Sequence, residues 1–224
     1  MKNPIVIAVD AMGGDNSPKK IIEGIELYHR KNKNIFFKLF GDKNQIENSL
    51  QNKKIDKNNY EIIHTENFIK GEDSALSAAK KGKTTSMWMS VESVKNKTSD
   101  IVLSAGNTGA LFVIAKLNLE MIEKIDKPAL SGLWPNKTGM NIVLDLGANI
   151  ECNEKNLIDF SIMGAALHKS LFPNETSKVA LLNIGSEEIK GNAVIKNTYQ
   201  QLSKINSSLY EFKGYVEGNN IMSG

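Results

Sequence analysis

The chain has 224 residues, 41% of them hydrophobic and 24% charged, with 28 Lys+Arg against 25 Asp+Glu for a formal charge of +3. This is enough chain to bury a sizeable core but too polar a composition for an integral membrane protein, and the basic residues form no sustained run of the kind that grips nucleic acid. One cysteine, Cys152, excludes an internal disulfide or a cysteine-based zinc cluster, and His29, His64 and His168 lack metal-ligand spacing, so no metal is expected.

Strand-like and helix-like segments alternate along the sequence, which predicts an α/β protein with a doubly wound, mostly parallel sheet and a small hairpin excursion, read as one domain over residues 1–224. Residues 5–9 are a short apolar run suited to burial on both faces of a sheet. Asp10 to Asn16 supply turn chemistry, and Ser17 and Pro18 read as an N-cap and a first-turn proline. A helix is predicted over residues 18–30, with Ile21, Ile22, Ile25 and Tyr28 as its apolar stripe. A second strand at 35–40 ends at Gly41 and Asp42. A polar helix at 44–50, a solvated Lys/Asn-rich loop at 51–59 and a third strand at 60–64 follow. Residues 74–94 read as a helical region interrupted over 80–86, where Lys80, Lys81 and Lys83 either reach over a neighbouring site or decorate a surface loop.

A strand at 101–103 runs straight into Ser104, Ala105, Gly106, Asn107, Thr108, Gly109 and Ala110, the second strand-loop-helix of the same kind. Residues 130–134 and 141–146 are predicted as a hairpin closed by Pro135 to Gly139. A long helix at 154–171, a strand at 179–184, a loop at 185–191, a helix to about residue 204 and a strand at 210–215 complete the pattern. Residues 216–224 read as the start of a further connection, so the expectation is a chain that stops mid-domain. Because the first strand begins within a few residues of Met1, with no long apolar segment and cleavage site, a cytoplasmic location is expected.

In a doubly wound sheet, ligands bind beyond the C-terminal ends of the strands, where loops lead into helix N-termini. Four glycine-bearing loops are predicted at that edge, at 12–16, 104–110, 147–149 and 185–191. Glycine lets backbone approach a ligand, and first-turn amides with the helix dipole favour an anion, so phosphate is the natural occupant. The 104–109 loop is the most specific, because Ser104, Asn107 and Thr108 add side-chain donors to the amides. No GxGxxG follows the first strand and no GK[ST] occurs, so neither a dinucleotide nor a nucleoside triphosphate is expected. Asp10, Asp15 and Asp145 lie at strand ends as caps or turn formers, or alternatively as groups orienting a substrate. Lys190 either neutralises a phosphate or is an ordinary surface lysine. Cys152, with no histidine near it in sequence, reads as packing rather than as a nucleophile.

Read in order, Ala8-Val9-Asp10-Ala11-Met12-Gly13-Gly14-Asp15, then Ser104-Ala105-Gly106-Asn107-Thr108-Gly109-Ala110, resemble the phosphate acyltransferase family of bacterial phospholipid synthesis. Leu144-Asp145-Leu146-Gly147-Ala148-Asn149, Leu181-Leu182-Asn183-Ile184-Gly185, Lys190-Gly191 and the landmarks Gly214, Val216, Glu217 and Gly218 continue the resemblance across nearly the whole chain. It implies a fold similar to the isocitrate and isopropylmalate dehydrogenases and to phosphotransacetylase, a homodimer, and transfer of an acyl group from acyl-acyl carrier protein to inorganic phosphate. Members of that family continue past the position of Gly224 into segments that include a membrane-touching hairpin and part of the dimer interface, so peripheral membrane contact is expected only of a longer form. Asn107, Thr108 and Asn149 are then the expected catalytic residues. Gly13, Gly14, Asp15, Ser104, Gly106, Gly109, Gly147 and Lys190 are the expected substrate-binding residues, with no cofactor. The alternatives are a coenzyme A-dependent phosphotransacetylase-like enzyme and a non-catalytic anion-binding fragment.

Overall fold

The computed structural model describes residues 3–185 and 190–223. Where the sequence reading treats residues 1–224 as one domain, the chain divides into two compact units, Met1–Glu120 and Met121–Gly224.

The first unit is built on β1 (Ile5–Asp10), β2 (Ile35–Gly41), β3 (Tyr60–His64) and β4 (Ile101–Ser104), a four-stranded sheet of order β3-β2-β1-β4 in which every pair is parallel. Between the strands run α1 (Lys19–Lys31), α2 (Lys43–Leu50), α3 (Ala75–Lys80) and α4 (Ser86–Lys95), and α5 (Thr108–Asn118) follows β4. Alternation along the strands sends Ile7, Val9, Ile35, Phe37 and Leu39 to one face, against Ile22 and Ile25 of α1 and Ile46 of α2. Val102 packs with Met87, Trp88 and Val91 of α4, Ala110 and Ile114 of α5, Ala78 of α3 and Ile69. Helices thus cover both faces, which is why the central strands read as unbroken apolar runs.

Short polar side chains start most of these helices. Asp42, Ser74, Thr85 and Asn107 each accept a hydrogen bond from the backbone N–H three residues on, capping α2, α3, α4 and α5. The predicted cap at Ser17 is corrected: α1 starts one residue later behind Pro18, which makes no side-chain cap, and the Ser17 hydroxyl instead donates to the Gly13 carbonyl at 2.6 Å. The α1 stripe is corrected too. Ile22 and Ile25 are buried as expected, but His29 takes the next inward position while Tyr28 stays half exposed, because a helix of 3.6 residues per turn carries residue 28 off the face that 22, 25 and 29 share. Glu26, buried beside them, keeps its charge through the Lys54 backbone N–H and the Arg30 guanidinium, each at 3.1 Å, which hold its carboxyl below the usual range.

In the second unit β5 (Ser131–Pro135) and β6 (Met140–Leu144) pair antiparallel, as the predicted hairpin requires. α6 (Glu154–Leu171) opens with a capping box between Asn153 and Asn156. β7 (Ser177–Asn183) and β8 (Tyr210–Glu217) pair in parallel on either side of α7 (Ala193–Leu202) in sequence. Ala165, Leu181, Leu202 and Tyr210 form this unit's core. Among the described residues no helix is long and apolar enough to cross a membrane.

Candidate functional site

The register of the first sheet sets the site. β1 and β4 pair from Ile7 opposite Ile101 to Asp10 opposite Ser104, so the last residue of each strand stands beside the other at the C-terminal edge. Asp10 is 1% exposed. Its carboxylate accepts the Ser104 hydroxyl at 2.7 Å and the hydroxyl of Ser86, the first residue of α4, at 2.6 Å. The Ser104 oxygen in turn accepts the Gly106 N–H at 3.1 Å. Burial pushes the Asp10 carboxyl up from its ordinary value, and the serine hydroxyls with the backbone of Met12 and Gly13 pull the other way. One buried acid therefore ties β1, β4 and α4 together beneath two of the predicted glycine loops.

Those loops meet with no room to spare. A Cβ on Gly13 would stand 2.5 Å from an Asp10 carboxylate oxygen, 2.8 Å from the Ser104 hydroxyl and 2.9 Å from the Gly106 nitrogen. A Cβ on Gly14, whose φ is +90°, would stand 2.5 Å from the Ala105 carbonyl oxygen. Glycine at these positions is thus a packing requirement between the 12–16 and 104–109 loops, beyond the geometry of the turn. Gly14 and Asp15 themselves are exposed, as are Thr108 and Gly109 at the start of α5. The first-turn amides of a helix lack intrahelical partners, so this edge presents donors to solvent.

Asn107 has a different place from the one expected. Its Oδ1 accepts the Ala110 N–H at 2.9 Å, while its amide nitrogen donates to the Gly71 carbonyl at 2.9 Å and the Asp73 carbonyl at 2.8 Å. Both amide protons are spent, so the side chain caps α5 and tethers the 71–73 turn to it, leaving Thr108 as the exposed hydroxyl of the loop. The tethered turn is itself braced. Asp73 accepts the Lys81 ammonium at 2.5 Å and the Lys70 N–H at 2.7 Å. Lys81 of the interrupted helical region is thereby occupied in an ion pair.

The Lys81 hydrogen bond, followed by that from the Lys70 backbone, holds the Asp73 carboxyl below its ordinary value. A depressed acid stabilises the fold above its unfolded pKa and loses that contribution as pH falls through the folded one. In the variant Lys81→Met, the Asp73 titration followed by carboxyl NMR is therefore expected to move up toward the ordinary carboxylate range. An unmoved midpoint would show that the ion pair does not set it.

In the second unit, Asp145 organises the 145–149 loop by accepting the N–H groups of Leu130, Ala148 and Asn149 at 3.1, 3.2 and 2.8 Å. The Asn149 amide nitrogen donates to Asp145 at 2.9 Å and to the Pro128 carbonyl at 2.8 Å, so both its protons are also engaged and the side chain holds the loop. Gly147 has φ +82° and open space where a Cβ would be. Of the 185–191 loop, residues 186–189 lie outside the described residues, and Lys190 is exposed. Gly191 closes the loop against Asn183, whose amide donates to the Lys190 carbonyl at 3.2 Å. Burial pushes the Cys152 thiol up, which disfavours the thiolate a nucleophile needs. A cavity of about 600 Å³, lined by Tyr199, Tyr210, Phe212 and Lys213 among others, lies at the start of β8. Among the described residues no group of three or more His, Cys, Asp and Glu side chains is placed to hold a metal ion.

The structure therefore brings Gly13, Gly14, Ser104 and Gly106 together around Asp10, with Thr108 and Gly109 starting the adjoining helix. Sequence reasoning missed Ser86, which lies 76 residues from Asp10 along the chain. Its only sequence signal is its place just after the Thr85 cap.

The family model described as "Fatty acid synthesis protein" matches residues 5–224. A phosphate acyltransferase of Pelagibacter ubique (strain HTCC1062) is 64% identical over 224 residues, covering all of this chain and 67% of the relative. The phosphate acyltransferases of Paramagnetospirillum magneticum (strain ATCC 700264 / AMB-1) and Beijerinckia indica subsp. indica are 36% and 38% identical, again over all of this chain, and are covered over 64% and 58% of their own lengths. The chain thus spans about two thirds or less of these curated relatives. Among solved structures, the EutD phosphotransacetylase from Staphylococcus aureus superposes with a TM-score of 0.60 at 16% identity, over 90% of this chain and 65% of that one. A branched-chain phosphotransacylase from Enterococcus faecalis V583 gives 0.56 at 14% identity, over 96% and 67%. At such identities the likeness is one of fold.

Proposed function

This chain belongs to the phosphate acyltransferase family, and from that premise we propose that it serves the transfer of an acyl group from acyl-acyl carrier protein to inorganic phosphate, in phospholipid synthesis and without a cofactor. The observation that carries this reading is the meeting of the 12–16 and 104–109 loops over the buried Asp10 carboxylate, beside the exposed first turn of α5. Phosphate is an anionic nucleophile at neutral pH and a thioester is already activated, so positioning and charge stabilisation suffice. A phosphate oxygen attacks the thioester carbonyl carbon. The tetrahedral oxyanion collapses, the C–S bond breaks with its electron pair passing to sulfur, and the thiolate takes a proton from solvent, leaving acyl phosphate.

In this reading the amides of Thr108 and Gly109 and the Thr108 hydroxyl hold phosphate, and Gly106, Ser104, Gly13 and Gly14 shape the floor with Asp15 at its rim. Asn107 and Asn149 contribute through the loops they hold, since their amide protons are engaged. Gly147 is assigned to the acyl side and Lys190 to charge neutralisation on the family resemblance. The dehydrogenase-like form of the fold, a cytoplasmic homodimer, and membrane contact by a longer form belong to the same reading.

The test is hydroxylamine trapping of acyl phosphate made by the purified chain from phosphate and either the carrier-protein or the coenzyme A thioester. Hydroxamate formed preferentially with the carrier protein is the expected result. Preference for coenzyme A would favour the phosphotransacetylase-like alternative, and phosphate binding with neither thioester turned over would favour the anion-binding reading.

A further inference from the structure

We propose that Asp10 is a positioning residue for the anion loop: by accepting hydrogen bonds from both Ser86 and Ser104, it turns the Ser104 oxygen onto the Gly106 amide and so sets the backbone that enters α5. The proposal rests on the reading of residues 104–109 as the phosphate loop.

Both hydroxyls that face Asp10 donate to it, one to each carboxylate oxygen. Ser86 and Ser104 lie 2.6 and 2.7 Å from its two oxygens. With its single proton committed to Asp10, Ser104 can offer only lone pairs elsewhere, and the Gly106 N–H lies 3.1 Å away to take one. This bond fixes the residue just ahead of the Asn107 cap, whose own side chain fixes the helix start through Ala110. The chain of contacts from Asp10 through Ser104 and Gly106 therefore decides how the amides of Thr108 and Gly109 are presented. Asp10 does this while buried, at 1% exposure. Charged acceptors make the stronger hydrogen bonds, and a buried carboxylate is costly unless it is satisfied in this way. Plain strand packing at this position would be served by an apolar residue such as its neighbour Val9. The acid at the strand end is explained by what its two oxygens organise.

The experiment uses the 224-residue chain with inorganic phosphate as the probe. Phosphate affinity is measured by isothermal titration calorimetry, the Gly106 amide is followed by hydrogen exchange, and melting establishes that each variant is folded. Asp10→Ala and Ser104→Ala are compared with Ser90→Ala, a buried serine of α4 whose hydroxyl donates within the helix to the Met87 carbonyl. We expect Asp10→Ala and Ser104→Ala each to weaken phosphate binding about tenfold and to speed Gly106 exchange, the scale of one lost hydrogen bond. Ser90→Ala is expected to lower the melting temperature with phosphate affinity unchanged, which separates positioning from mere destabilisation. Should Asp10→Ala fail to fold, Ser104→Ala alone decides the matter. Folded variants that bind phosphate within twofold of the parent, or keep its Gly106 exchange, overturn the role of Asp10 while leaving the loop reading intact. A parent chain that binds no phosphate overturns the loop reading and the proposal with it.

Discussion

Replacing Gly13 with alanine is expected to destabilise the first unit by about 3 kcal/mol, the upper part of the range for forcing an extra carbon into a packed site. The added methyl would stand 2.5 Å from an Asp10 carboxylate oxygen and under 3 Å from both Ser104 and the Gly106 nitrogen. None of these is the free end of a flexible side chain. Asp10 is held by two serines and Gly106 is backbone, so relief requires the 12–16 loop to lift from the 104–109 loop and the hydrogen bonds around Asp10 to lengthen. Phosphate affinity should fall together with stability. The natural contrast is Gly147→Ala, where φ is +82° but no atom lies within 4 Å of the new carbon, so only the left-handed backbone is penalised, by about 1 kcal/mol. The chain has two tryptophans, with Trp88 in the first unit and Trp134 in the second. Urea unfolding followed by Trp88 fluorescence in a Trp134→Phe background reports the first unit. A Gly13→Ala chain with an unchanged midpoint would show that the two loops are not in contact as described.

The second large effect is expected from Asn107→Ala, at roughly 2–3 kcal/mol. About 1 kcal/mol of this is the helix cap at Ala110, and the two bonds to the Gly71 and Asp73 carbonyls add about 0.5–1.5 kcal/mol each before relaxation. Asn107→Asp separates the two parts. Aspartate still accepts the Ala110 N–H but faces the two carbonyl oxygens with no proton to give, so the cap survives and the tether is lost. Hydrogen exchange of residues 71–75 should quicken in both variants, while exchange in the first turn of α5 should quicken only in the alanine variant. Equal protection of residues 71–75 in the aspartate variant and the parent would remove the tether from the account. Both substitutions should also reduce phosphate affinity, the aspartate further, because it adds a negative charge beside the expected anion.

Much of this architecture was legible in the residues themselves. Strand-like runs of three to six residues alternating with helix-like segments placed the eight strands seen among the described residues to within a few residues, and α6 from end to end. The interruption between α3 and α4 was visible in the polar, lysine-bearing stretch over residues 80–86. The family followed from short motifs in a fixed order, and the match over residues 5–224 bears it out. These signals are local, arising from backbone propensity, capping and the period of the apolar residues.

What only the tertiary structure decided is which donors remain available. In sequence, Asn107, Thr108 and Asn149 are alike as polar residues in glycine loops. In space, Asn107 and Asn149 spend both amide protons on carbonyls and carboxylates 4 to 36 residues away, while Thr108 stays exposed. Asp10 reads as a turn former until the β1–β4 register sets it beside Ser104 and the α4 start brings in Ser86. The division into two units was likewise hidden, since the stretch between α5 and β5 carries no low-complexity linker to mark it. Periodicity and capping report on neighbours in the chain. Hydrogen-bond satisfaction and close packing depend on groups brought together by folding, and the arrangement of this candidate site follows from those.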